Sequence, residues 1–176
     1  MSWLQKIYWN HFGKPVSERA LFAALLAGPF DSVLEVGVGN GDRLRRIAKL
    51  LQSSSGDSVR YIGTDPFESS SDDRPHLTLK AAHRLASQLG LRASLLPGDA
   101  PGALPRVAHK FGPSELVIID GGIDPADPLS GPVGSWLLRV TDETSVVLVC
   151  QEAGETLVPL DMAALSSEQQ SLPAAA

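Results

Sequence analysis

The chain has 176 residues, 43% of them hydrophobic, enough for one domain with its own core and too apolar for a disordered chain. Its formal net charge of −5 and pI near 5.3 disfavour nucleic acid as a partner. The longest apolar run near the N-terminus, residues 20–27, is far too short to span a bilayer, so the expected compartment is the cytoplasm.

Residues 1–29 read as an N-terminal helical arm. Its aromatic segment 3–12 either folds over a pocket or packs on the core. Pro15 and Ser17 then open a helix through Ala27, with Ser17 as N-cap and Gly28-Pro29 as the stop. Residues 30–165 form the main domain. Ser32 to Val36 is an apolar strand leading into Gly37, Gly39 and Gly41. From Arg43 to Gln52, Leu44, Ile47, Ala48 and Leu51 recur at helical spacing. Arg43, Arg45, Arg46 and Lys49 read as the solvated face of that helix. After the polar turn 53–57, residues 59–64 make a second strand ending at Asp65-Pro66. The polar stretch 68–75 reads as a mobile loop, and a helix over 77–89 stops at Gly90.

A third strand, 91–96, is followed by Asp99 and Ala100, where Asp99 can cap a helix through Val107. Residues 115–120 form a fourth, strongly apolar strand ending in Asp120-Gly121-Gly122. A Pro/Gly/Asp-rich loop over 123–135, with Asp124 and Asp127 as turn residues, leads to a short helix at 136–140. Strand five spans 145–150 and ends at Cys150, the single cysteine, which reads as an inert buried thiol. Residues 156–160 are a further strand candidate, and the tail 166–176 reads as frayed.

Strands alternating with helices make an α/β, doubly wound, mostly parallel sheet. In such sheets ligands lie outside the carboxyl ends of the strands. Glu35, Asp65, Asp99 and Asp120 each stand at or just beyond such an end, so four apolar strands deliver four acids to one rim. The turn between them is glycine-rich, and glycine permits positive φ and close approach of backbone to a ligand. A dinucleotide turn needs its third glycine five positions after the first. Here Gly41 comes four after Gly37, and Glu35 precedes the turn where a carboxylate suits an amino group better than a pyrophosphate. Asp65 lies 24 residues beyond Gly41, near the spacing at which an acid reaches ribose hydroxyls.

The pattern Glu35-x-Gly37-x-Gly39-x-Gly41 resembles the first motif of class I S-adenosylmethionine-dependent methyltransferases, and the resemblance covers about residues 30–150. It implies a three-layer Rossmann-like fold with a shortened C-terminal end. It also implies S-adenosyl-L-methionine as cofactor. Glu35, Gly37, Val38, Gly39, Asn40 and Gly41 would hold the methionine end, Asp65 with Pro66 the ribose, and Asp99 with Ala100 the adenine. Asp120 would face the transferring methyl as the candidate catalytic group. Ile119-Asp120-Gly121 is similar to small-molecule O-methyltransferases, which favours oxygen on a small-molecule acceptor. The acid–His pair that accompanies a metal in some of those enzymes is missing, and His11, His76, His83 and His109 show no metal-ligand spacing. Two alternatives stand beside this reading: a non-catalytic S-adenosylmethionine-binding module, favoured by the short C-terminus, and a nicotinamide-dependent oxidoreductase. A missing edge hairpin would leave a sheet edge open to homodimer formation.

Overall fold

The computed structural model describes residues 13–54, 59–70 and 74–171. The aromatic segment 3–12, with His11, lies outside them. The strands are β1 (Ser32–Val36), β2 (Arg60–Asp65), β3 (Arg92–Pro97), β4 (Leu116–Asp120), β5 (Val146–Cys150) and β6 (Val158–Leu160). The helices are α1 (Arg19–Ala27), α2 (Asp42–Ser54), α3 (Leu79–Gln88), α4 (Ala100–Phe111), α5 (Gly131–Val140) and α6 (Met162–Ser171). Short 3₁₀ turns at Val16–Glu18 and Phe67–Ser69 complete the list.

The sheet order is β3-β2-β1-β4-β5-β6, with β1 to β5 parallel and β6 antiparallel to β5. Parallel strands covered by helices on both faces must be apolar on both faces, which explains why β1, β4 and β5 lack the alternation of a half-exposed strand. Val33, Tyr61, Ile118 and Leu148 pack with α1, α2 and α3 on one side. Leu34, Ile62, Ile119 and Val149 pack with α4, α5 and α6 on the other. The three-layer α/β architecture is as the sequence leads one to expect. Winding reverses between β1 and β4, so their carboxyl ends flank a crevice.

Several elements differ from expectation. Ser17 caps nothing; it sits in the 3₁₀ turn, and α1 starts at Arg19 without a side-chain cap. Helix α4 continues past Val107 to Phe111, Pro105 notwithstanding, and ends at Gly112. Helix α5 begins at Gly131 rather than 136, with Pro132 in its first turn, where a proline costs no hydrogen bond. Helix α6 takes in residues 166–171 of the expected tail, and Met162 at its start lies in the core. The mixed edge pairing through β6 covers one side of β5. Among the described residues no helix is long and apolar enough to cross a membrane.

Candidate functional site

The chain leaves β1 through Gly37, Gly39 and Gly41, all at positive φ (+92°, +57° and +79°). Their reasons differ. A Cβ on Gly37 would lie 3.0 Å from Cβ of Asp120, so this glycine lets the ends of β1 and β4 approach. A Cβ on Gly41 would meet methyls of Leu77 and Leu85 at 2.7 Å, so this one serves packing against α3. A Cβ on Gly39 would meet nothing within 4 Å, and this residue lines a cavity.

The turn's N–H groups are largely consumed within the protein. Gly37 and Val38 donate to the Thr64 carbonyl, and Gly41 to that of Val38. Gly39 donates to Asp65 Oδ2 at 2.8 Å, and Asp42 to the Asn40 side chain at 3.0 Å. A turn that spends its donors this way is poorly equipped to cradle a pyrophosphate.

Asp65, 2% exposed at the end of β2, holds this rim together. Beyond Gly39, its Oδ1 accepts from the N–H of Phe67 at 2.7 Å and lies 2.8 Å from Nδ1 of His76. The bond to Phe67 fixes a residue at φ +52° whose ring is buried beside Val38 and Ala82. Positive φ is costly for a bulky side chain, so Asp65 is an organiser of two turns.

Below the turn lies a buried charge cluster. Arg43, in the first turn of α2, places Nε 3.0 Å from Glu18 and Nη1 3.1 Å from Asp120 Oδ2 and 3.9 Å from Glu35 Oε1. Arg46 adds a forked pair to Glu18 at 2.6 and 2.7 Å. Arg43 and Arg46 are therefore not a solvated face. Burial pulls the Arg43 pKa down, but Glu35, Asp120 and Glu18 outweigh it and hold the guanidinium firmly protonated. Glu35 is fully buried; its Oε2 accepts from the Tyr61 hydroxyl at 2.5 Å, and its Oε1 has no hydrogen bond. Burial raises its pKa to about 7 against the opposing pull of Arg43 and Tyr61. Burial, and then the Glu35 charge, also push the Tyr61 hydroxyl well above its ordinary value.

The cavity beside Gly39 measures about 230 Å³ and is lined by residues from five segments. Of the expected site residues, Gly37, Gly39, Asn40, Asp65 and Asp120 line it. Glu35 in β1 and the turn residues Val38 and Gly41 are buried and do not line it, and neither Pro66, Asp99 nor Ala100 is among the lining residues. Asp99 is exposed and caps α4 by accepting from Gly102 N–H at 3.0 Å. Arg74, Pro75 and His76, before α3, and Ala153 and Gly154, after β5, join the lining without any sequence signal of their own. A more open groove of about 470 Å³, lined by Ser17, Cys150, Gln151, Glu155 and Thr156 among others, meets the cavity at Gly154.

Asp120 lines the cavity and is tied to Gly154, the residue that the cavity and the groove share. Gly154 N–H donates to its Oδ1 at 2.8 Å, and the Cys150 thiol lies 3.3 Å from the same oxygen. Burial, with the Asp120 charge second, pushes the Cys150 thiol up to about 12, so it stays protonated and serves as a donor. Asp124 forms an Asx turn with Ala126, as a turn residue should. Among the described residues no three His, Cys, Asp or Glu side chains are grouped to hold a metal.

No protein-family model matches the chain, and no curated protein matches it. Solved structures do. The O-methyltransferase TomG from Streptomyces achromogenes, involved in tomaymycin synthesis and crystallised with S-adenosylmethionine, is 18% identical with a TM-score of 0.51. That match covers 85% of this chain and 56% of TomG. An S-adenosylmethionine-dependent methyltransferase from Geobacter sulfurreducens, solved with S-adenosylhomocysteine, is 19% identical with a TM-score of 0.50, covering 82% of this chain and 54% of the other. The chain thus spans little more than half the length of these neighbours. Its strand order, its reversal point between β1 and β4 and its glycine turn make its fold that of the class I S-adenosylmethionine-dependent methyltransferases.

Proposed function

We propose that the cavity binds S-adenosylmethionine and that the chain transfers its methyl group to an oxygen of a small-molecule acceptor. One observation carries the reading. The carboxyl ends of β1, β2 and β4 bring Gly39, Asp65 and Asp120 around one cavity at the reversal point, with loop donors spent and two carboxylates in the wall. That composition suits a hydroxyl- and ammonium-bearing ligand better than a phosphate.

The residues present fit the cofactor. The open space over Gly39 leaves room for close approach, and Asp65 and Asp120 offer acceptors for hydroxyl and amino groups. The cavity is smaller than the roughly 300 Å³ at which small-molecule sites begin, and the groove at Gly154 extends it toward an acceptor. When bound, the cofactor supplies an electrophilic methyl on a sulfonium. The protein's contribution is to align the acceptor oxygen with that methyl, and alignment alone can supply much of the rate. Asp120, held by Arg43 and the Gly154 N–H, lines the cavity and can accept the hydroxyl proton of an acceptor placed there.

The same contacts favour a second reading. With Arg43, Gly154 and Cys150 already upon it, Asp120 is engaged as an anchor, as expected of a cofactor-binding module without catalysis. Incubation with methyl-labelled S-adenosylmethionine and a panel of phenols and alcohols separates the two. Labelled product that falls at least tenfold with Asp120→Asn supports the enzyme; binding without label transfer to any acceptor supports the module.

A further inference from the structure

The Asp65 carboxylate is nearly saturated. Its three donors are Gly39 N–H on Oδ2 and, on Oδ1, Phe67 N–H and the Nδ1 of His76. An ionised carboxylate has about four lone-pair sites, so one remains, whereas the two neighbouring hydroxyls of a ribose require two. Two of the three donors are backbone groups that fix the glycine turn and the turn after β2, and they cannot leave without refolding both. His76 is a side chain on the cavity wall. The backbone around it is held independently, by Leu77 N–H on the Gly39 carbonyl at 2.8 Å and Leu79 N–H on Glu68 at 2.7 Å. Rotation of the imidazole about its own side-chain bonds vacates Asp65 without breaking either of these two backbone bonds.

We propose that His76 occupies the seat of a ribose hydroxyl on Asp65 and is displaced by the sugar of an incoming nucleoside, so that it sets both the affinity and the sugar specificity of the cavity. The inference rests on the reading of this cavity as a nucleoside-binding site. A ligand with both hydroxyls must break the His76–Asp65 contact, and that cost is subtracted from its binding. A 2′-deoxy ligand needs a single lone pair, uses the one that remains, and leaves His76 where it is. Asp120 and Arg74, the other charged groups lining the cavity, are common to both ligands.

The test is calorimetric titration of the full chain, wild type and His76→Ala, with S-adenosylhomocysteine and with its 2′-deoxy counterpart. Removing the competitor should tighten binding of the ribose compound about tenfold, the size of one hydrogen bond to a charged group, and change that of the deoxy compound less than about twofold. His76→Gln, which can still donate to Asp65, should remain near wild type. Wild-type imidazole NMR gives a check independent of any variant: the resonance of the His76 Nδ1 proton that is bonded to Asp65 should move away or vanish on adding the ribose compound and persist with the deoxy one. Equal gains for both ligands, weaker or unchanged binding of the ribose compound to His76→Ala, or a resonance unmoved by the ribose compound would overturn the displacement while leaving the cavity's assignment standing. No binding of either ligand to the wild type would remove both.

Discussion

At the scale of single residues, Gly39 and Asp65 carry separate burdens. Gly39 combines φ +57° with open space, so Gly39→Ala should cost about 1–2 kcal/mol of stability for the left-handed backbone alone. Its methyl would also occupy ligand space, so the variant should bind S-adenosylhomocysteine more weakly than its stability loss explains; calorimetry beside thermal unfolding checks both. Asp65→Ala removes a charged acceptor from two backbone donors at once. About 3 kcal/mol of destabilisation in urea unfolding is expected, at 1.5–3 kcal/mol for each bond to a charged group less some rehydration. A variant as stable as wild type would show that Asp65 is dispensable to the two turns. The sequence marks Asp65 through its place after a strand, yet nothing there reveals that a backbone donor from each flanking turn ends upon it.

Among the elements, α2 bears the clearest surprise. Its apolar positions are legible from spacing, but the place of Arg43 is not: the run of basic residues reads it as solvated, whereas it stands four before Ile47 and seven before Leu50 and is buried. What spacing cannot show is that Glu18, Glu35 and Asp120 arrive from three other segments to receive the guanidinium. Single-helix periodicity describes one face; the charge partners come from tertiary contact. Removing one member of a buried ion cluster leaves the rest unpaired, so Arg43→Leu should destabilise the chain by about 3–5 kcal/mol in denaturant unfolding. A loss below about 1 kcal/mol would mean that water already screens the cluster. The strands are legible because short apolar runs end in acid or glycine. The start of α5 is not, because proline and glycine there weaken the local signal while packing on Leu137 decides the outcome.

For the whole molecule, the fold is more legible than the site. Alternating strands and helices specify the doubly wound sheet, and the topological reversal then specifies where a ligand sits. Which rim acids reach the cavity depends on side-chain direction: Asp65 and Asp120 do, Asp99 faces solvent as a cap, and Glu35 points into the protein. The buried Glu35 also ties global stability to pH. Its folded pKa of about 7 stands above its ordinary value of 4.5, so the folded state holds a proton that the unfolded chain releases. The stabilisation is complete below about pH 4.5 and is lost as pH rises through 7. Glu35→Gln lacks this titration, so its stability relative to wild type should rise between pH 5 and pH 8 in unfolding curves; a constant difference would place the Glu35 proton elsewhere.

The central claim concerns what the cavity binds, and calorimetry of the purified full chain with S-adenosylhomocysteine, using NAD as control, tests it most directly. Micromolar, one-to-one binding of S-adenosylhomocysteine with none of NAD is the predicted result. Heat from NAD alone, or from neither compound, would contradict the account and leave the glycine turn as a feature of folding only.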